Sequence, residues 1–153
     1  MTEKTDSTPL DRAKRLAVEY LKNPHTEKQL RDKLREKGCG EADIDEVTAL
    51  CLDYGFLNDG EYAAMLARHC AAKGYGAGRV RTELSRRGVP RELWDEALSQ
   101  LPEPSDTLDR LLAAKLRGRD PSDRAVAAKA ANALFRLGYS WDDIKNALNR
   151  YPT

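Results

Sequence analysis

Residues 57–88 read LNDGEYAAMLARHCAAKGYGAGRVRTELSRRG, and this stretch decides the fold. Tyr62, Met65, Leu66, Ala67 and Cys70 recur at helical spacing as one inward stripe. Asn58 or Asp59 is placed to cap the helix start, and Glu61 sits in the first turn, where the helix dipole favours a carboxylate. The segment Gly74-Tyr75-Gly76-Ala77-Gly78 interrupts the pattern. A second helix then turns Val80 and Leu84 inward, carries several arginines, and stops at Gly88.

The same arrangement occurs before and after this stretch. Leu16, Leu66 and Leu116 correspond at a constant offset of 50, as do Leu34, Leu84 and Leu134, and Gly38, Gly88 and Gly138. The third helices align in the same register, with Ile44, Trp94 and Ile144 in one column and Val47, Ala97 and Ala147 in another. A fixed period with helical spacing inside each copy is the mark of tandem units that share cores with their neighbours. The fold class expected is all-α: three tandem three-helix repeats forming an elongated, curved array. The expected boundaries are a disordered tail over 1–11 and repeats over 12–54, 55–101 and 102–153.

In chain order, Ala13, Leu16, Ala17, Tyr20 and Leu21 form one helix face, which Asn23 and Pro24 end. Thr26 with Gln29 has the capping-box pattern for a second helix bearing Leu30 and Leu34, closed by Gly38. Ile44, Val47, Leu50 and Cys51 face inward on a third. In the second unit, Pro90 suits the first turn of a helix whose apolar side is Leu93, Trp94, Ala97, Leu98 and Leu101. Leu101-Pro102-Glu103-Pro104 marks a joint, because two closely spaced prolines exclude a continuous helix. The third unit places Leu108, Leu111, Leu112 and Leu116, then Ala127, Ala130, Ala131, Leu134 and Leu137, on its inner faces. Ser140 with Asp143 resembles a capping box for a last helix carrying Trp141, Ile144, Ala147 and Leu148.

Composition narrows the function. Of 153 residues, 33% are charged and the formal net charge is +1, yet the charge is segregated. Residues 41–61 hold seven acidic side chains and no basic one, whereas residues 62–91 hold seven basic side chains opposed only by Glu83. Such blocks fold either into balanced solvated surfaces or into a basic face for a polyanionic partner. Cys39, Cys51 and Cys70 lack metal-ligand spacing to one another or to His25 and His69, so no metal site is expected and each cysteine reads as a small buried side chain of a reducing, cytoplasmic setting. The sequence has neither an apolar leader nor a run of the ~18 residues that spans a bilayer. No nucleophile, carboxylate pair or metal cluster converges on the helical wheels, so an enzyme is not expected and no cofactor is called for. The glycine segment 74–78 follows a helix rather than a strand and lacks the lysine and hydroxyl of a phosphate loop, which makes it an interhelical turn.

The candidate contacts are therefore basic side chains: Arg31, Arg68, Lys73, Arg79, Arg81 and Arg86. With Val80 and Leu84 inward, steps of 100° put Arg79 and Arg86 near the outer face, Arg81 on a flank, and Arg87 close to the core with its head reaching water. Arginine forks to carboxylate and phosphate alike, so this helix does not distinguish an acidic protein from a nucleic acid.

The ordered set Gly55-Phe56-Leu57-Asn58-Asp59, Tyr62-Ala63, Arg68, Gly74-Tyr75-Gly76 and Glu83-Leu84 to Gly88-Val89 resembles the RecX family of bacterial recombination regulators. Thr26 to Gly38 followed by Ile44 to Val47 is similar to that family's first repeat, and Phe135-Arg136-Leu137-Gly138-Tyr139-Ser140 to its last. The resemblance runs from about Arg12 to Tyr151. It implies a cytoplasmic, monomeric protein that binds the RecA filament on single-stranded DNA along its groove and inhibits recombinase and co-protease activity, within homologous recombination, DNA repair and the SOS response. The alternative is a free-standing DNA-binding protein with a basic helical face.

Overall fold

The computed structural model describes residues 7–152. Among the described residues every regular element is helical: α1 Pro9–Tyr20, α2 Glu27–Glu36, α3 Glu41–Asp53, α4 Asp59–Ala72, α5 Ala77–Arg86, α6 Trp94–Leu98, α7 Pro104–Leu116, α8 Arg124–Arg136 and α9 Trp141–Arg150, with a 3₁₀ turn Arg91–Leu93 ahead of α6. The all-α reading holds.

The first helix starts earlier than the hydrophobic spacing indicates. Thr8 caps it through Asp11 N–H at 3.0 Å, and Pro9 occupies its first turn, where a missing amide donor costs nothing. Residues 9–11 are thus helical, which corrects that part of the expected tail; residues 1–6 lie outside the described residues. The capping box of α2 is complete, with Thr26 Oγ1 accepting from Gln29 N–H at 3.2 Å and Gln29 Oε1 accepting from Thr26 N–H at 3.0 Å. Asn58 is the N-cap of α4, accepting from Glu61 N–H at 3.0 Å. Asp59, the other candidate, instead accepts from Glu27 N–H at 2.9 Å, at the start of α2. In α9 the Ser140 hydroxyl accepts from Asp143 N–H at 3.1 Å.

Two of the four apolar columns read from the sequence are buried throughout, and in the other two Leu16 and Trp94 are half-buried. Leu34, Leu84 and Leu134 are fully buried, and so are Val47, Ala97 and Ala147. Gly38, Gly88 and Gly138 all have left-handed backbone at the end of a second helix. Several assignments to the inner face are corrected. Met65 is exposed at 37%, Trp141 is exposed at 50%, and Trp94 and Leu50 are only half-buried. Trp141 stacks on Phe135, itself exposed, with centroids 4.5 Å apart, so the two rings shield each other at the surface rather than entering the core.

The chain divides into two compact units, one holding Met1–Ala63 with Ser85–Leu93 and the other Ala64–Leu84 with Trp94–Thr153. In the first, α1, α2 and α3 enclose Ala13, Ala17, Leu30, Leu34, Ile44, Val47, Cys51 and Leu57. The Thr26 hydroxyl donates to Arg87 O at 2.5 Å, and Arg87 reaches the Tyr62 hydroxyl at 3.3 Å. In the second, α7, α8 and α9 enclose Leu108, Leu112, Leu116, Leu134, Tyr139, Ile144 and neighbouring alanines. There the start of α5 meets the turn after α8: Gly76 N–H donates to Leu137 O and Gly78 N–H to Gly138 O, each at 2.8 Å. The Tyr139 hydroxyl adds a bond to Gly74 O at 2.8 Å. Pro104 forms the first turn of α7, as a proline tolerates, and so the proline-rich connector doubles as a helix start.

Candidate partner-binding surface

The six basic candidates fall into distinct environments. Arg31 is held within its own unit: its Nε meets Glu27 at 3.1 Å and its Nη1 meets Asp45 at 2.7 Å. The bond to Asp45 is the main cause of a guanidinium pKa raised above its ordinary value. Arg68 and Lys73, on α4 and just beyond it, are exposed. Arg79 is only half-buried in solvent terms, because its guanidinium lies over the Tyr75 ring at 4.4 Å and approaches Glu83 at 3.9 Å. The helical wheel places it on the outer face, but the turn after α8 packs against that side of α5. Arg81 is exposed beside it, and Arg86 is exposed seven residues beyond Arg79.

Within the second unit Arg79 and Arg81 line a groove of about 690 Å³. Its walls include Tyr75, Pro102, Pro104 and Phe135, and a third guanidinium, Arg136, faces it. Glu103 and Asp143 oppose these charges. Arg136, Tyr75 and Phe135 are functional candidates that wheel reasoning missed. The available signal was that Phe135 falls on the outer side of α8, one residue before Arg136. The groove thus offers forked donors beside flat apolar rings, which suits carboxylate or phosphate groups carried next to apolar surface.

His69 is exposed on α4. Cys51 and Cys70 are buried and Cys39 half-buried, all as free thiols, and burial pushes the Cys51 thiol up. Among the described residues no group of three or more His, Cys, Asp or Glu is placed to hold a metal ion, and no helix is long and apolar enough to cross a membrane.

Fold and surface together define a helical-repeat protein built from three-helix units, with basic and aromatic side chains gathered at one groove. Residues 13–49 match the RecX first three-helix domain and residues 58–98 the RecX second three-helix domain. The regulatory protein RecX of Vibrio campbellii is 34% identical over 139 residues, 90% of each chain. That of Escherichia coli O7:K1 is 31% identical, covering 95% of this chain and 96% of the relative. Among solved structures, RecX from Lactobacillus salivarius shares the fold with a TM-score of 0.84 at 23% identity, covering 92% of this chain and 95% of that one. The chain belongs to the RecX family of regulatory proteins.

Proposed function

We propose that this protein is a cytoplasmic regulator that binds the RecA filament on single-stranded DNA and lowers recombinase and co-protease activity, without catalysing a reaction of its own. The observation that carries this reading is kinship, over 90–95% of this chain, to proteins named regulatory protein RecX, at 31–34% identity. The three repeats over 12–54, 55–101 and 102–153 act in it as one scaffold, whose modest contacts add as avidity on a repetitive partner. Arg68, Lys73, Arg81 and Arg86 supply exposed charge, and Arg79 and Arg136 line the groove of the second unit. Arg31 contributes less, since its guanidinium already serves two carboxylates.

The test is ATP hydrolysis by RecA on single-stranded DNA at substoichiometric amounts of this protein. Strong inhibition supports filament binding; unaltered hydrolysis removes it. Arg68→Glu with Arg81→Glu is expected to keep the helical circular-dichroism signal and weaken inhibition by at least about tenfold, equivalent to 1.4 kcal/mol.

A second reading, direct binding to single-stranded nucleic acid, is favoured by the exposed Phe135–Trp141 stack next to Arg136, since exposed rings beside a guanidinium suit base stacking. A salt titration separates the two. Binding to naked DNA tighter than to the filament, with a steep salt slope, establishes the second reading.

A further inference from the structure

The outward faces of α3 and α8 are built alike and charged oppositely. α3 turns Ile44, Val47, Thr48 and Cys51 into its unit, which leaves Ala42, Glu46, Ala49, Leu52 and Asp53 exposed on the other side. α8 turns Ala130, Ala131 and Leu134 inward and exposes Ala125, Ala128, Lys129, Asn132, Phe135 and Arg136. Each face is a strip of small side chains with one large apolar residue towards its C-terminal end, Leu52 at 45% exposure and Phe135 at 47%. Glu46 and Asp53 run along one edge of α3, and Lys129 and Arg136 run along the same edge of α8. Both pairs are spaced by seven residues, about 10.5 Å along a helix. Among the described residues none of these four charges is in an ion pair, whereas Asp45, next to Glu46, is held by Arg31 at 2.7 Å. Residues 41–61 contain no basic side chain and residues 124–141 no acidic one.

We infer that the α3 face of one copy of this chain docks antiparallel against the α8 face of a second copy, with Glu46 beside Arg136 and Asp53 beside Lys129. Charge and size fix the orientation together. Turning one of two facing helices end for end brings their like edges together, so the acidic edge of α3 meets the basic edge of α8. The common spacing of seven then aligns both ion pairs in one register. That register sets Leu52 against Ala125 and Ala128, and Phe135 against Ala42 and Ala49, so each large side chain meets small ones. A parallel arrangement sets Leu52 against Phe135 and leaves alanine facing alanine. A different partner has to match edge, spacing and size at once, whereas both halves of this contact are present on one chain. With a formal net charge of +1, two copies do not repel each other.

The two faces differ, so the contact is heterologous: each copy offers one of each, and copies join in a row. Two 13-residue helices bury on the order of a few hundred Å² per copy, against the ~800 Å² of a stable interface, which makes the association weak, reversible and salt-sensitive. The contact does not rest on filament binding. It gives Phe135 and Arg136 a protein neighbour where the nucleic-acid reading gives them a base.

The experiment is sedimentation equilibrium of the full chain at low ionic strength, at concentrations up to about 1 mM. The average mass is expected to rise with concentration and to fall back when salt is added. Glu46→Lys with Asp53→Lys, and separately Lys129→Glu with Arg136→Glu, alter exposed positions only. Each double variant should keep the helical circular-dichroism signal and weaken self-association by at least about tenfold. Mixed together, the two should associate again, because the unaltered α8 face of the first fits the unaltered α3 face of the second. A chain that stays monomeric over the whole range overturns the inference. So does a mixture that stays monomeric, or self-association that both reversals leave intact. If the parent is monomeric and Lys129→Glu with Arg136→Glu instead loses binding to a single-stranded oligonucleotide, the inference is overturned and the α8 face belongs to nucleic acid.

Discussion

Gly138→Ala is the sharpest probe of how the repeats are joined. At φ +104 an alanine carries a left-handed strain of about 1–2 kcal/mol. The new methyl would also overlap Arg79 N and lie 2.6 Å from Arg79 Cβ and 2.8 Å from Gly76 O. These are backbone or near-backbone atoms, so relief comes only by moving the start of α5 away. That motion gives up the Gly76 N–H to Leu137 O and Gly78 N–H to Gly138 O bonds, and with them the Tyr139 hydroxyl to Gly74 O. At about 1 kcal/mol per bond plus the strain, the loss is roughly 4–5 kcal/mol. For a two-state chain of this size that lowers the melting temperature by roughly 8–20 °C. Gly38→Ala is the control: φ is +86, but the methyl meets nothing within 4 Å. Strain alone then predicts a loss of about 1–2 kcal/mol, or roughly 2–8 °C. Thermal circular dichroism measures both, and amide exchange should accelerate at Gly76 and Gly78 in the Gly138 variant only. Equal melting temperatures for the two variants would refute the reasoning, because they would show that the close backbone approach adds nothing to stability.

Three further outcomes are expected. Leu84→Ala, at a fully buried position, should cost roughly 2–5 kcal/mol in chemical denaturation, and a parental midpoint would exclude Leu84 from the core. Thr26→Val loses both the cap on Gln29 N–H and the donor to Arg87 O, for about 2–3 kcal/mol, whereas Thr26→Ser keeps both bonds and should stay within about 1 kcal/mol of the parent. The Asp59 carboxyl is held above its ordinary value chiefly by burial, against the Glu27 N–H bond that favours the anion, with the Glu27 charge raising it further. Its folded value therefore exceeds its unfolded one, so its stabilising contribution is complete below the unfolded value and is lost as pH rises through the folded one. Asp59→Asn, which keeps an oxygen for Glu27 N–H, should gain stability relative to the parent as pH rises through the ordinary carboxylate range and above it, and a relative loss on that rise would contradict the sign.

The residues that were legible in sequence share a cause. Leu34, Leu84 and Leu134, and Val47, Ala97 and Ala147, are buried because each recurs on the inner side of its own helix, and helical spacing records that directly. Capping is equally local: Thr26 with Gln29 and Ser140 with Asp143 act within a single turn. Misreadings arose where a helix's own periodicity was silent about neighbours. Met65 and Trp141 lie close enough to an apolar stripe to be counted with it, yet nothing packs over them fully. Arg79 lies on the outer face of the α5 wheel but is half-buried, since the glycine turn after α8 lies against that side.

The basic surface divides in the same way. Exposure of Arg68, Lys73, Arg81 and Arg86 follows from their places on helices whose inner faces are plain in sequence. The engagement of Arg31 by Asp45, fourteen residues on and in another helix, does not. Nor does the facing of Arg136 into the groove that Arg79 and Arg81 line.

The sequence by itself determined the helical class, the period of 50, the three-helix unit and most of its core, because apolar spacing, caps and left-handed glycines are properties of one helix and its ends. Only the tertiary structure decided what fills the turns at Gly88 and Gly138, which carboxylate takes Arg31, and that Asp59 serves α2 rather than its own helix. Those outcomes depend on distances between residues far apart in the chain. No local pattern encodes them, since the same threonine, glycine or aspartate satisfies its own helix equally well whether or not a neighbour is present.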